Sequence, residues 1–173
     1  MKKNMGILII VFIFSVCVLI SIVASIGVRH KTFSNSDFSI KYDTTWKVVE
    51  EKEGLELKHK RSKAILNIQT KVLDDNYYAT DLKDIIDDIL YSIEKQNSGY
   101  SLINTLESPS DKYDSYSYLY EDHSTQAMVN IYKLDSKVII VYYEANNEYF
   151  DIVLDSVEGI LDSLVINVGE RIS

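Results

Sequence analysis

Cysteine is nearly absent from this sequence of 173 residues. Cys17 is the only one, and it lies in an apolar run near the N-terminus. The rest of the chain therefore has no thiol, which excludes a disulfide, a thiolate nucleophile and a cysteine-ligated zinc site from it. The lack of cysteine fits either side of a membrane, so it does not indicate the compartment.

Positive charge is also scarce. The chain has 18 Lys and Arg residues against 26 Asp and Glu residues, for a net charge of −8. Lys2 and Lys3 are the only charged residues before Arg29, so the part after residue 28 carries −10. Nucleic-acid phosphates and anionic lipids are bound by an excess of Lys and Arg. We therefore expect no nucleic-acid partner, and a net repulsion from anionic lipid.

Catalytic motifs are missing as well. The sequence has neither a Gly-x-Ser-x-Gly elbow nor a glycine-rich phosphate loop. His123 and Ser124 are sequence neighbours and do not make a triad. His30, His59 and His123 are too far apart to show metal-ligand spacing, so we expect them on the surface. The sequence predicts no enzyme activity and no cofactor.

A long apolar run follows the N-terminus. Residues 5–28 contain no charged side chain. A helix needs about 20 such residues to cross a bilayer, whereas the apolar part of a cleavable signal peptide has about 7–15. The run predicts a retained single-pass membrane anchor. The alternative is cleavage among the small residues from Ala24 to Gly27, which would release a secreted domain.

The charges beside this run indicate its orientation only weakly. Lys2 and Lys3 precede it, and Arg29 and Lys31 follow it, so the positive-inside rule is nearly balanced. A short basic start before an apolar run is typical of exported chains. We therefore expect the N-terminus inside and the rest of the chain on the extracytoplasmic side of the cell membrane.

The sequence divides into two parts. Residues 1–31 form the predicted anchor with its flanking charges, and residues 32–173 form the predicted globular domain. About 140 residues suffice for one hydrophobic core. Phe33 to Asp37 is polar and is interpreted as a short linker.

Alternating apolar and polar residues predict most of the strands. The Val138–Tyr143 run is apolar at every position, which is typical of a strand covered on both faces. The predicted strands are Phe38–Tyr42, a strand beginning at Trp46, one through Leu55 and Leu57, Ala64–Leu73, Tyr100–Leu106, Tyr113–Tyr120, Gln126–Leu134 and Val138–Ala145.

Two segments have helical spacing instead. Leu82 to Ile93 carries one apolar stripe. Thr80 is the predicted N-cap of this helix, and Gly99 lies near its expected C-terminal end. Phe150 to Leu164 carries another. Together with the strands, they predict an α+β domain in which a twisted, mainly antiparallel sheet is flanked by helices, an α/β/α sandwich.

Two segments also carry a family resemblance. Phe38-Ser39-Ile40-Lys41-Tyr42 followed by Trp46 resembles the first strand of the PsbP-like and DcrB-like superfamily, with Asp43 where the family commonly has proline. The segment from Tyr142 through Ile160-Leu161-Asp162-Ser163-Leu164 is similar to its last strand and helix. The resemblance covers roughly residues 33–168. It implies a sheet sandwiched by helices and a non-catalytic accessory or binding role.

A row of tyrosines is the first candidate interaction surface. Tyr116, Tyr118 and Tyr120 alternate along one strand, so they share one face. Exposed aromatic rows can bind glycans or peptides. Aromatic rows also pack across strands beneath a helix, with their hydroxyls at the rim. We favour packing, and both interpretations stay open from the sequence.

Acidic residues on the last helix are the second candidate surface. Asp151, Asp155, Glu158 and Asp162 are spaced so that they lie opposite the apolar stripe. Such like-charged neighbours cost a few tenths of a kcal/mol each. A cationic partner or Ca²⁺ would offset this cost, although no EF-hand loop is present. A plain solvated face is the simpler interpretation.

The sequence therefore predicts a membrane-anchored, extracytoplasmic interaction domain without catalytic activity, whose partner is a protein or an envelope component. The alternative is a ligand- or cation-binding sensor or carrier. That alternative would use the acidic helix face or a pocket between sheet and helix.

Overall fold

The computed structural model describes residues 29–50, 54–73, 82–96, 99–107, 114–134 and 137–167. The predicted anchor at residues 5–28 and the predicted cap Thr80 lie outside these ranges. No helix in the described ranges is long and apolar enough to cross a bilayer. The elements in them are β1 (His30–Ser34), β2 (Phe38–Asp43), β3 (Trp46–Glu50), β4 (Gly54–His59), β5 (Ile65–Val72), α1 (Leu82–Gln96), β6 (Ser101–Glu107), β7 (Asp114–Glu121), β8 (Thr125–Lys133), β9 (Lys137–Asn146), α2 (Asn147–Asp162) and β10 (Val165–Ile166).

The larger sheet has seven strands in the order β3-β4-β5-β9-β8-β7-β6, and every neighbouring pair is antiparallel. Its strands fall within one or two residues of the alternating segments in the sequence. β9 lies in the centre, as its apolar run predicts. Ile139, Val141 and Tyr143 of β9 point into the core on one face, and Val138 points into the core on the other.

The helix α2 covers the first face. Phe150, Val153, Val157 and Ile160 on α2 are buried against the sheet. The helix begins directly after β9, and its first N–H, on Asn147, donates to the carbonyl oxygen of Ser124 at 3.0 Å. The buried residues on this face also come from β2, β3, β4 and β5.

A separate three-stranded sheet, in the order β1-β2-β10, lies on the same side as α2. Phe38, Ile40 and Tyr42 of β2 point into the same core as α2. The interpretation of Phe33 to Asp37 as a linker was wrong in part, because β1 extends through Phe33 to Ser34. Asn35 then closes a tight turn, since its side-chain oxygen accepts the backbone N–H groups of Asp37 and Phe38, both at 2.9 Å.

The helix α1 covers only part of the opposite face. Ile86 and Ile89 of α1 belong to a core with side chains of β7, β8 and β9. No residue of β3, β4 or β5 itself belongs to that core. The prediction of helices on both faces is confirmed, and half of the second face is left uncovered by α1.

Gly54 begins β4 with a φ of +149°. A Cβ atom built at this position would lie 2.1 Å from the backbone oxygen of Ile68 on the neighbouring strand. Only glycine fits so close an approach. The residue fixes the spacing of β4 and β5 at the edge of the uncovered half.

Candidate functional site

The uncovered half of the second face is a polar surface, which we call the open face. It is formed by outward side chains of β3, β4 and β5 that are exposed or half-buried. The register of the strands places them in adjacent rows. Its polar members are Lys47, Glu56, Lys58, Asn67, Gln69 and Lys71, and the half-buried Ile65, opposite Lys58, lies among them.

A group of hydrogen-bonding side chains lies where the open face meets the helix-covered half. We call it the tyrosine–glutamate cluster; its members are Tyr100, Thr125, Tyr142 and Glu144. The hydroxyl of Tyr100 lies 2.9 Å from the hydroxyl of Thr125. Tyr142 donates its hydroxyl to a carboxylate oxygen of Glu144. All four side chains are half-buried.

The strand register joins this cluster to the open face. Tyr142 of β9 lies directly opposite Asn67 of β5, and Glu144 lies opposite Ile65. Tyr142 and Glu144 also interact with the Tyr100 side chain. A partner resting on the open face would therefore meet an amide, a carboxylate and tyrosine hydroxyls at its edge.

The electrostatics of the cluster keep its tyrosines neutral. Burial raises the pKa of Tyr142 above its usual value, and the adjacent Glu144 carboxylate raises it further. Burial also raises the pKa of Tyr100, and the nearby Glu144 adds to the effect. These hydroxyls are thus hydrogen-bond donors and acceptors near neutral pH. The arrangement suits recognition of a polar partner and offers no activated nucleophile.

The structure places most of the tyrosine row in the core. Tyr118 and Tyr120 are buried, and Tyr116 is half-buried against the same core. Their cross-strand partners on β8 are Val129, Ala127 and Ile131, which are buried as well. Packing, the interpretation favoured from the sequence, therefore holds for Tyr118 and Tyr120, because this part of the sheet lies in the core that includes α1. The alternative, an exposed interaction surface, is corrected for these two residues.

The acidic residues of the last helix are exposed. Asp151, Asp155, Glu158 and Asp162 all lie on the solvent side of α2, away from its buried stripe. In the described part of the chain, no three His, Asp or Glu side chains are grouped closely enough to hold a metal ion. The role of this acidic surface stays a prediction.

The histidines take different positions. His30 and His123 are exposed, whereas His59 is half-buried with its ring 5.2 Å from that of Trp46. His59 was expected on the surface, and its packing against an indole explains the difference. Its Nδ1 lies 2.8 Å from the Ser62 hydroxyl. Burial lowers the pKa of His59, with Asp43 opposing and Arg61 adding to the shift.

The sequence did not indicate the tyrosine–glutamate cluster. Its members come from a loop and two strands, and the register alone brings them together. The nearest signal was the position of Glu144, which follows the apolar run of β9 on the face of Tyr142. A polar residue there marks the boundary of the covered half.

No family model and no curated protein matches this sequence. Solved structures match it clearly, by shape. Cyanobacterial PsbP (CyanoP) from Synechocystis sp. PCC 6803 superimposes with a TM-score of 0.62 at 13% identity, covering 80% of this chain and 92% of that one. The described domain has the PsbP-like fold.

Two further structures share this PsbP-like fold. LpqN from Mycobacterium tuberculosis, described as involved in cell envelope biogenesis, has a TM-score of 0.58 at 7% identity, covering 81% of this chain and 91% of that one. A protein of unknown function from Pseudomonas aeruginosa has a TM-score of 0.54 at 12% identity, covering 79% and 96%. Identities this low show a common fold, and they do not transfer a function.

Proposed function

We propose that this chain is a membrane-anchored, extracytoplasmic interaction domain without catalytic activity, which binds a protein or envelope component through its open face. The observation that carries the proposal is the uncovered half of the central sheet beside the tyrosine–glutamate cluster. The core beneath helix α1 includes no residue of β3, β4 or β5, and the outward side chains of these strands are exposed or half-buried.

The chemistry of this surface supports binding. Asn67 and Gln69 present amide groups, and Tyr142 and Glu144 add a hydroxyl and a carboxylate at the border. A polar sheet surface of this kind suits an extended partner better than a small molecule, because small-molecule sites are typically concave and mostly apolar. The fold of LpqN, a protein of cell envelope biogenesis, agrees with an envelope role.

Site-specific photocrosslinking in intact cells tests the binding surface. A photoreactive amino acid replaces Gln69 on the open face, and a matched control replaces Asp155 on the acidic face of α2; both positions are exposed. We expect a discrete crosslinked product from position 69 that weakens when Tyr142→Phe and Glu144→Gln are added. A product from position 155 alone would move the binding surface to the acidic helix.

The anchor is tested independently of the binding surface. Residues 5–28 are uncharged and long enough to span a bilayer. We expect the full chain to stay in the membrane fraction after alkaline carbonate extraction, and its mature N-terminus to precede residue 5. A mature protein that begins near Val28 would show that the domain is released.

A further inference from the structure

One corner of this acidic domain is basic. Four of the Lys and Arg residues lie within six positions at the β4–β5 hairpin, in the segment Lys58-His59-Lys60-Arg61-Ser62-Lys63. The side chains of Lys58, Lys60, Arg61 and Lys63 are all exposed. The part of the chain after residue 28 carries a net charge of −10, so the charge of this hairpin is opposite in sign to that of the domain as a whole.

The fold adds more cations to this corner. Lys47 of β3 lies directly opposite Lys58 of β4, and both are exposed. Like charges in directly opposed positions destabilise a sheet. Neither lysine, nor Lys60, Arg61 or Lys63, forms an ion pair with a described residue. An anionic partner would remove this repulsion.

The start of the described chain lies at the same corner. His30 of β1 pairs with Asp43, the last residue of β2. The β2–β3 turn that follows is joined to the hairpin, since the backbone N–H of Lys60 donates to the carbonyl oxygen of Thr45 at 2.9 Å. Arg29 precedes β1 and is exposed. Between the predicted anchor at 5–28 and the folded domain there is therefore one residue.

The carboxylate of Asp43 at this corner is already engaged. It accepts the backbone N–H of Thr45 at 2.6 Å and also the hydroxyl of Thr45. It does not form an ion pair with the hairpin cations that the structure describes. The six cations of the corner therefore face this one carboxylate, and the corner keeps a positive net charge.

We propose that this basic corner, formed by Arg29, Lys47, Lys58, Lys60, Arg61 and Lys63, docks on the anionic phospholipid headgroups of the membrane in which the chain is anchored. The inference rests on the proposed anchoring and names the membrane surface as a second partner. A connection of one residue holds the corner within reach of the headgroups. Docking fixes the orientation of the domain. It uses Lys47 and Lys58 at one end of the open face and leaves Asn67, Gln69 and the tyrosine–glutamate cluster for a separate partner.

The test uses the full chain in lipid nanodiscs of phosphatidylcholine, with or without about one third phosphatidylglycerol. Cys17→Ser and Thr45→Cys place one thiol-reactive fluorophore at the exposed turn of the corner, and a headgroup-labelled lipid quenches it on approach. We expect stronger quenching with phosphatidylglycerol at about 0.1 M salt. This difference should disappear at about 1 M salt, where screening shortens the Debye length from about 10 to about 3 Å.

The variant Lys58→Gln/Arg61→Gln/Lys63→Gln removes three cations. Their side chains form no hydrogen bond with a described residue, so the fold should not depend on them. The variant should lower the ratio of docked to undocked domain by on the order of 100-fold. The matched control Lys71→Gln/Lys95→Gln/Lys133→Gln makes the same change in net charge elsewhere and should leave the quenching unchanged. Far-ultraviolet circular dichroism confirms that both variants are folded.

Each outcome decides the inference. Equal quenching in the two lipid compositions, or a basic-corner variant that behaves like the parent, would overturn it. If the anchor proves to be cleaved, the mature protein is mixed with vesicles of the same two lipid compositions, and its binding is measured by co-flotation. Loss of anchoring would thus count against the proposed function alone, and the lipid dependence would still decide the corner.

Discussion

The side-chain oxygen of Ser163 lies 2.8 Å from the backbone nitrogen of Lys41 and 3.1 Å from its carbonyl oxygen, across 122 positions of sequence. It also lies 2.6 Å from the carbonyl oxygen of Ile160. Ser163 thus follows the last residue of α2 and bonds to the backbone of Lys41, a residue of β2 that lies beyond the part paired with β10. The serine that carries part of the PsbP-like resemblance joins the helix to the smaller sheet.

Ser163→Ala should lower the free energy of unfolding by about 0.5–1.5 kcal/mol, the net worth of a typical hydrogen bond. The backbone N–H of Lys41 is exposed, so water limits the loss. Ser92→Ala is the control, because the partner of the Ser92 hydroxyl among the described residues is the backbone carbonyl oxygen of Asp88 in its own helix. Urea unfolding measures both. Equal effects of the two changes would show that the link to β2 contributes nothing.

Trp46 is 1% exposed, which confirms its predicted burial. Its indole N–H donates to the Ser156 hydroxyl at 3.0 Å. Trp46→Ala should cost about 3–5 kcal/mol. Ser156→Ala should cost about 1 kcal/mol, because it removes the hydrogen bond from the indole and the longer one from the Ser156 hydroxyl to Asp43 at 3.5 Å. The parent should fluoresce well to the blue of free indole in water. An emission maximum like that of free indole would contradict the packing.

Tyr120 and Tyr143 are both buried, but their hydroxyls differ. The Tyr143 hydroxyl donates to the carbonyl oxygen of Phe150 at 2.8 Å, whereas that of Tyr120 has no partner in the described ranges. Tyr143→Phe should cost about 0.5–1.5 kcal/mol, whereas Tyr120→Phe should be neutral or stabilising. Chemical denaturation of the two variants decides this. A larger loss for Tyr120→Phe would reverse the assignment.

Alkaline pH should destabilise the domain through the same residues. Burial, with the negative charge of Glu94, raises the pKa of Tyr120 to about 12. A pKa raised in the folded state means that the stability is complete below the unfolded value near 10 and is lost as the pH rises through about 12. Absorbance of tyrosinate against pH should show a late phase that coincides with unfolding. Tyr120→Phe should reduce that phase.

Thermal unfolding can show whether the acidic face of α2 is only solvated or binds Ca²⁺. If Asp155 and Asp162 are only solvated, Asp155→Asn/Asp162→Asn should leave stability unchanged or raise it by a few tenths of a kcal/mol, because repulsion is relieved. We expect millimolar Ca²⁺ at fixed ionic strength to leave the Tm of both proteins unchanged. A Ca²⁺-dependent rise in the parent that the double variant loses would establish binding to the native state.

The sequence predicted the elements better than their partners. The helical stripes gave α1 and α2, and the uninterrupted apolar run of Val138 to Tyr143 gave the central strand, because burial on both faces removes polar residues. Alternation in Phe38–Tyr42 is the same whichever strand pairs with it, so the smaller sheet was not predicted. The tyrosine–glutamate cluster depends on the register between distant strands, for which no local pattern exists.

The pairing of β5 with β9 has a consequence for how the chain becomes folded. Ile65 lies beside Glu144, and Phe38 lies beside Ile166, so both sheets are completed by the last part of the sequence. Such non-local contacts form slowly. If the domain is exported as proposed, its first strands emerge before its last ones, and the edge of β5 stays unpaired until β9 follows. In that case envelope chaperones and proteases would meet that unpaired edge, and the yield of folded protein would depend on how fast the C-terminal third arrives.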